Sequence, residues 1–217
     1  MPVVSSWSAP VVSMRGVTKS FARGLARASH RTLAISDIDL EVYPGEVILV
    51  SGDEGAGKTA LLQCACSILR ADEGSVAHAV ASYVPAVPVF YPFLTVRDVL
   101  CLRNCENPRV DSLLAAFDLM PFAAGVVANM SASAMKRLSI AESIVRKPEV
   151  LMIDTSAFEV PSCSTIKAIT ELGAAAIVAA RNCSSLARIA TRIVCLEEGR
   201  IVKTFSTSHS LVAERIH

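Results

Sequence analysis

The run Gly52-Asp53-Glu54-Gly55-Ala56-Gly57-Lys58-Thr59 places glycines, a lysine and a hydroxyl within one short loop, at the spacing G-x-x-x-x-G-K-[ST]. Glycines let a backbone curl so that its N–H groups point inward at phosphate oxygens. Lys58 supplies a point charge for the β- and γ-phosphates, and the Thr59 hydroxyl is suited to Mg²⁺. Ala60 follows, so no second hydroxyl is offered after Thr59. Asp53 and Glu54 add negative charge beside a phosphate site, which is tolerable only if their side chains face water. Further on, Asp154 ends an apolar run, where an acid can hold Mg²⁺, often through water. Together these residues read as a nucleotide site for Gly52, Gly55, Ala56, Gly57, Lys58, Thr59 and Ala60, with Thr59 and Asp154 on the metal.

Such a loop works only between a strand and a helix, and the text supplies both. Residues 46–50 form a short apolar run typical of a buried parallel strand, after a Pro44-Gly45 turn. Residues 58–69 read as a helix, with Leu61, Leu62, Ala65, Ile68 and Leu69 at helical spacing, closed by a Glu73-Gly74 turn. Its N-terminal end adds positive potential toward a phosphate. Further strands are expected at 11–14, 38–42, 150–153 and 175–179, with a terminal hairpin of 192–196 and 200–203. Helices are expected at 96–104, 111–119 and 131–147, the first two divided by Asn107-Pro108. The last opens on Ser131, a good N-cap, and ends in Arg146-Lys147 before Pro148. Strands alternating with helices imply a mostly parallel sheet with ligands at the carboxyl ends of its strands.

At 217 residues the chain suits one domain spanning 1–217, with 1–10 as a loose leader, an exposed loop at 23–31, and no repeat. Hydrophobic residues make up 52% and aromatics 5%, mostly Ala, Val, Ile and Leu, which suits a sheet covered by helices on both faces. The net charge of +1 gives no reason to expect nucleic acid as a partner. No stretch reaches the roughly 18 apolar residues of a membrane span, and no export signal opens the chain. The cysteines at 64, 66, 101, 105, 163, 183 and 195 lack C-x-x-C spacing and read as reduced, small buried hydrophobes.

The wider text, from about Val11 to Phe205, resembles the ABC (ATP-binding cassette) ATPases. Val17-Thr18-Lys19-Ser20-Phe21 is similar to the family's A-loop, which implies that Phe21 stacks on adenine; a core Phe is the other reading. Residues 70–76 resemble the turn after the phosphate-loop helix. Tyr83-Val84-Pro85, followed by Phe93-Leu94-Thr95-Val96-Arg97-Asp98, resembles the Q-loop and the entry to a helical subdomain at about 87–130. Ala190-Thr191-Arg192-Ile193 and Glu198-Gly199-Arg200-Ile201 are similar to the C-terminal strands. The resemblance implies an α/β P-loop NTPase fold of ABC type: a mostly parallel sheet with flanking helices, a small N-terminal antiparallel β part and a helical subdomain. It implies ATP and Mg as cofactors, a cassette homodimer or heterodimer, and a separate multi-span membrane subunit docking against 92–129. The expected location is cytoplasmic, peripheral on the inner face of a membrane.

Departures from the family pattern fall at the catalytic positions. Ala86 stands where a Gln follows Tyr-Val-Pro, and Met130-Ser131-Ala132-Ser133-Ala134 stands for L-S-G-G-Q. In the dimer that the resemblance implies, Ser131 keeps a hydroxyl and a helix N-terminus for the γ-phosphate bound by the other cassette, while Ala132 and Ser133 add Cβ atoms where glycines allow close approach. Thr155 follows Asp154 in place of a catalytic Glu, and Arg181 aligns with a switch His. Arg181 is suited either to a γ-phosphate or to open solvent. At 158–161, where a D-loop Asp would stand, the text reads Val160-Pro161. Loss of a general base typically costs about 10²–10⁴-fold, so ATP binding with weak or absent hydrolysis is the expectation.

Overall fold

The computed structural model describes residues 9–23, 30–102, 107–155, 161–181 and 186–207. Its frame is a six-stranded sheet in the order β5-β6-β7-β3-β8-β9. These strands are β3 (Val47–Ser51), β5 (Ala81–Val84), β6 (Val150–Asp154), β7 (Ala175–Ala180), β8 (Arg192–Glu197) and β9 (Arg200–Ser206). All neighbours pair in parallel except β8 and β9, which form the antiparallel hairpin. A second, three-stranded antiparallel sheet has the order β2-β1-β4, from β1 (Val12–Arg23), β2 (His30–Val42) and β4 (Glu73–His78).

Side-chain alternation along the central strands divides the core in two. Leu49, Leu151, Ile153, Ala176 and Val178 face one cluster; Ile48, Val50, Met152, Ile177 and Ala179 face the other. The first cluster is completed by α2 (Val96–Cys101), α3 (Asn107–Ala116), α4 (Ala132–Ile144) and α5 (Cys163–Glu171). The second is completed by α1 (Lys58–Ala65) and by the antiparallel sheet, through Val12, Met14, Ile35, Ile38 and Leu40. Strands buried on both faces need continuous apolar runs, and β6 and β7 are buried throughout.

Several sequence expectations change. Helices flank both faces of the sheet, but unequally: one face carries α2 to α5, and the other carries α1 with the antiparallel sheet. β1 runs to Arg23 rather than ending at Met14, and Glu73-Gly74 opens a strand rather than simply turning. α1 stops at Ala65 because Ser67 takes a left-handed φ of 56° and donates its N–H to the Cys64 carbonyl. Asn107-Pro108 opens α3 instead of dividing two helices, since Pro is tolerated in a first turn. α2 is fixed at its start by a reciprocal capping box between Thr95 and Asp98. α4 begins as expected, with Ser131 capping the Ala134 N–H. The expectations for residues 1–8, 24–29 and 156–160, and for Cys105 and Cys183, lie outside the described residues. None of the described helices is long and apolar enough to cross a membrane.

Candidate functional site

β3 delivers the chain into the 52–57 loop, and α1 takes it up at Lys58. Gly57 is the N-cap of α1 at a φ of 100°. A Cβ there would lie 2.2 Å from the Ala34 carbonyl oxygen, and one on Gly52 would lie 2.3 Å from that of Leu196. Glycine at these positions therefore lets the loop pack against β2 and β8. Ala56 is buried, its N–H donating to Asp53 and its carbonyl accepting from Gly199. Gly52 and Ala56 thus support the cradle from beneath. Gly55, Gly57, Lys58, Thr59 and Ala60 line it, together with Phe21, Glu54, Gln63 and Arg181, around a cavity of about 420 Å³.

The Lys58 ammonium is buried and curls over its own loop, donating to the carbonyls of Gly52 (2.7 Å) and Asp53 (2.6 Å). Gly57 has no side chain with which to cap α1, and an uncapped helix N-terminus suits a phosphate. Asp53 and Glu54 are exposed, as tolerance of a phosphate requires. Glu54 pairs with Arg181 at 3.4 Å, an ion pair bridging the loop and the end of β7.

Thr59 and Asp154 meet as their chemistry demands. The Thr59 hydroxyl donates to Asp154 Oδ2 at 2.6 Å, and Tyr83 Oη donates to the same oxygen at 3.3 Å. Gln63 Nε2 in turn donates to Tyr83 Oη at 3.4 Å. Burial, with the Asp154 charge next in weight, pushes the Tyr83 phenol up to about 12. It stays protonated, a neutral donor to the carboxylate. The paired hydroxyl and carboxylate oxygens fit a hard divalent cation such as Mg²⁺.

Phe21 is 43% exposed, at the rim of the cavity, so it is no core aromatic. Its neighbours are fixed by Asp72, which accepts from Lys19 Nζ, the Ser20 N–H and the Ser20 hydroxyl, each at 2.8 Å. These bonds, the Lys19 contact first, hold the Asp72 carboxyl well below the usual carboxylate range. Lys19 Nζ also lies 5.9 Å from the Phe21 ring centroid.

The residue after Asp154 is turned away. Thr155 is 3% exposed, and both its N–H (3.0 Å) and its hydroxyl (2.6 Å) donate to the Ala179 carbonyl of β7. Ser131 is not in the loop cavity. It borders a separate hollow of about 550 Å³ with Ser133, Lys136 and Thr165. Ala86 lies just after β5, next to Pro85, whose carbonyl accepts from Lys136 Nζ at 2.6 Å. Lys136 is 4% exposed and donates also to the Asp154 carbonyl at 2.5 Å. Burial pulls its pKa down to about 8, against the attraction of Asp154.

Sequence reasoning missed Gln63, Tyr83, Asp72 and Lys136. Gln63 was legible as the residue four after Thr59 on one helix face. Lys136 was signalled by a charge in an apolar helical stripe, four residues before Ile140 and eight before Ile144.

A glycine loop between a central parallel strand and a helix, facing a strand-end aspartate, defines a P-loop nucleotide-binding domain. The family model described as "ABC transporter" matches residues 35–157, more than half of the chain. The aliphatic sulfonates import ATP-binding protein SsuB of Delftia acidovorans is 31% identical over 137 residues, 60% of this chain and 57% of that protein. The methionine import ATP-binding protein MetN of Brucella abortus (strain 2308) is 26% identical over 246 aligned positions, 95% of this chain and 64% of that protein. The chain therefore spans less than two thirds of the length of these relatives. Among solved structures, a dimeric post-hydrolysis state of the ATP-binding cassette MJ0796, bound to ADP and Pi, superposes with a TM-score of 0.75 at 20% identity. That match covers 90% of this chain and 98% of the other. cbiO1 from Clostridium perfringens, part of the complex cbiONQ, superposes at 0.76 with 19% identity, covering 92% and 89%. The chain belongs to the ABC transporter family, as an ATP-binding cassette.

Proposed function

We infer that this chain binds Mg-ATP in the 52–59 loop cavity and couples nucleotide state to a separate membrane subunit of an ABC transporter or related complex, with weak or absent hydrolysis. Lys58 and the N-terminus of α1 hold phosphate, Phe21 provides an apolar face for the base, and Thr59 with Asp154 would hold Mg²⁺. The metal would supply charge neutralisation between phosphate oxygens and carboxylate.

One observation carries the hydrolytic half of this reading. The Thr155 hydroxyl, where a base would orient water, is spent on the Ala179 carbonyl deep in the sheet. Arg181, by contrast, lines the cavity and suits retention of a phosphate. Relatives named for methionine and aliphatic sulfonate import support a transport role.

A docked partner is supported by the segment between β5 and α2. Val89 is 86% exposed, Phe93 72% and Tyr91 66%, beside a groove of about 500 Å³ that includes Leu94, Val99 and Leu102. Apolar surface gathered in this way marks a protein contact. A cassette dimer, homo- or hetero-, and a cytoplasmic, peripheral location follow from the same transporter reading. The turned-away Thr155 equally favours a non-hydrolysing, ATP-gated regulatory or structural module.

Binding and phosphate release measured side by side on the purified chain test the proposal. Tight ATP binding with negligible phosphate release is expected. Turnover on the order of 1 s⁻¹, in the range typical of working enzymes and abolished by Lys58→Ala, would end it.

A further inference from the structure

Side chains from α1, β5 and β6 converge on one carboxylate oxygen. Asp154 Oδ2, at the end of β6, accepts from the Thr59 hydroxyl of α1 at 2.6 Å and from Tyr83 Oη of β5 at 3.3 Å. Gln63, one helical turn after Thr59, donates to the same Tyr83 oxygen at 3.4 Å. Thr59 and Gln63 line the phosphate-loop cavity. The Tyr83 side chain borders a separate hollow of about 360 Å³, with Pro85, Val89, Phe90 and Glu142. Tyr83 therefore meets the site from outside the cavity, through Asp154 and Gln63.

A carboxylate that receives a hard cation does so best when its orientation is set beforehand by hydrogen bonds from an outer layer of side chains. One bond to an oxygen restrains its position; a second, from another element, restrains the orientation as well. Thr59 is itself suited to the cation, so its bond to Asp154 belongs to the site. The Tyr83 bond comes from a strand beyond it. In Tyr83-Val84-Pro85-Ala86, which carries β5 into the following turn, Tyr83 is the residue with a polar side-chain tip. Ala86 ends in a methyl group and offers the acid no hydrogen bond.

We propose that Tyr83 is a positioning residue for the divalent cation: its hydroxyl holds the Asp154 carboxylate in the orientation that receives Mg²⁺, and so sets how much the metal adds to ATP binding. The proposal rests on the nucleotide-binding reading above. It gives Tyr83 a task beyond packing against the α1 side of the core.

ATP titrations by calorimetry, in Mg²⁺ and in EDTA, test this on the purified chain. Wild type should bind about a hundredfold more tightly in Mg²⁺, and Tyr83→Phe should narrow that gap by about tenfold, as loss of an outer hydrogen-bond partner does. The phenylalanine ring keeps the packing, so affinity in EDTA should stay within about twofold of wild type. Tyr83→Met, folded by circular dichroism, also lacks the hydroxyl and should narrow the gap as far. Asp154→Asn checks the route: in that background Tyr83→Phe should leave the gap where Asp154→Asn alone puts it. An unchanged gap in Tyr83→Phe and Tyr83→Met, with ATP still bound in Mg²⁺, overturns the proposal and leaves the nucleotide site standing. So does a further narrowing by Tyr83→Phe in the Asp154→Asn background, or a wild type that binds ATP equally in both media. A folded wild type that binds no ATP in either medium overturns both readings.

Discussion

Two groups of residues face each other across the ends of neighbouring strands, and they have fared differently. On the β3–α1 side, Gly52 and Gly57 are fixed by backbone that could not take other residues, since a Cβ at either would strike a carbonyl oxygen, and Lys58 is held by the Gly52 and Asp53 carbonyls. At the ends of β5, β6 and β7, Ala86, Thr155 and Arg181 stand where the family pattern has Gln, Glu and His. The proposed grip on phosphate is built from main-chain geometry and buried contacts, so it is hard to alter without losing the fold. Activation of water depends on single side-chain tips, and those can be exchanged while the sheet beneath stays intact. Thr155 illustrates this, since its hydroxyl satisfies a β7 carbonyl and leaves the strand pairing undisturbed.

The largest way to break this contrast is Lys58→Ala. It removes a buried ammonium that both closes the loop and meets phosphate, so ATP affinity should fall about 10²–10³-fold in calorimetry. A loss of less than about threefold would mean that the grip lies elsewhere.

Phe21→Ala comes next. Stacking of a base on an aromatic ring is worth about 1–3 kcal/mol, so ATP should bind about tenfold more weakly. Inorganic triphosphate, which has no base, should bind as before. Equal losses for both ligands would make Phe21 a prop for the loop and not a wall for adenine.

Thr155→Val tests the other group of residues. The Thr155 N–H still reaches Ala179, so only the hydroxyl bond is lost, costing about 1 kcal/mol and lowering Tm by about 2–4 °C. ATP affinity and phosphate release should both stay at their wild-type values. A fall in phosphate release would show that Thr155 takes part in chemistry after all.

Most of the phosphate-binding side could be read directly from the chain. The G-x-x-x-x-G-K-[ST] spacing is contiguous, and its strand and helix flank it in sequence. Asp154 was legible because it ends an apolar run. What stayed hidden depends on partners far apart in the chain: Asp72 lies 52 residues from Ser20, and Lys136 lies 18 from Asp154. The length of β1 was hidden too, because register shifts between Met14 and Ser20 break its alternation. α5 was not anticipated, although Ser162 caps the Thr165 N–H at its start. Lys136 is the intermediate case, since its place in an apolar helical stripe was legible but its partners at Pro85 and Asp154 were not.

The smallest predicted effect separates two parts of the binding side itself. The phosphate loop rests on buried backbone, whereas Phe21 sits near the end of β1, held in place by Asp72 through Lys19 and Ser20. That carboxyl titrates below its unfolded value, so its contribution to stability is fully present above about pH 4. The contribution is lost as pH falls further, through the folded-state value. Asp72→Asn should therefore lower Tm by a nearly constant amount from neutral pH down to about pH 5. Below about pH 4 the two melting curves should converge progressively, because the unfolded wild-type chain then takes up a proton at Asp72 that the folded state resists until the pH is lower still. The variant should also weaken ATP slightly while leaving inorganic triphosphate alone, since Lys19 and Ser20 position the base-facing ring and not the phosphate cradle. A Tm difference that grows with acidity would reverse the assigned sign and detach Asp72 from the support of Phe21.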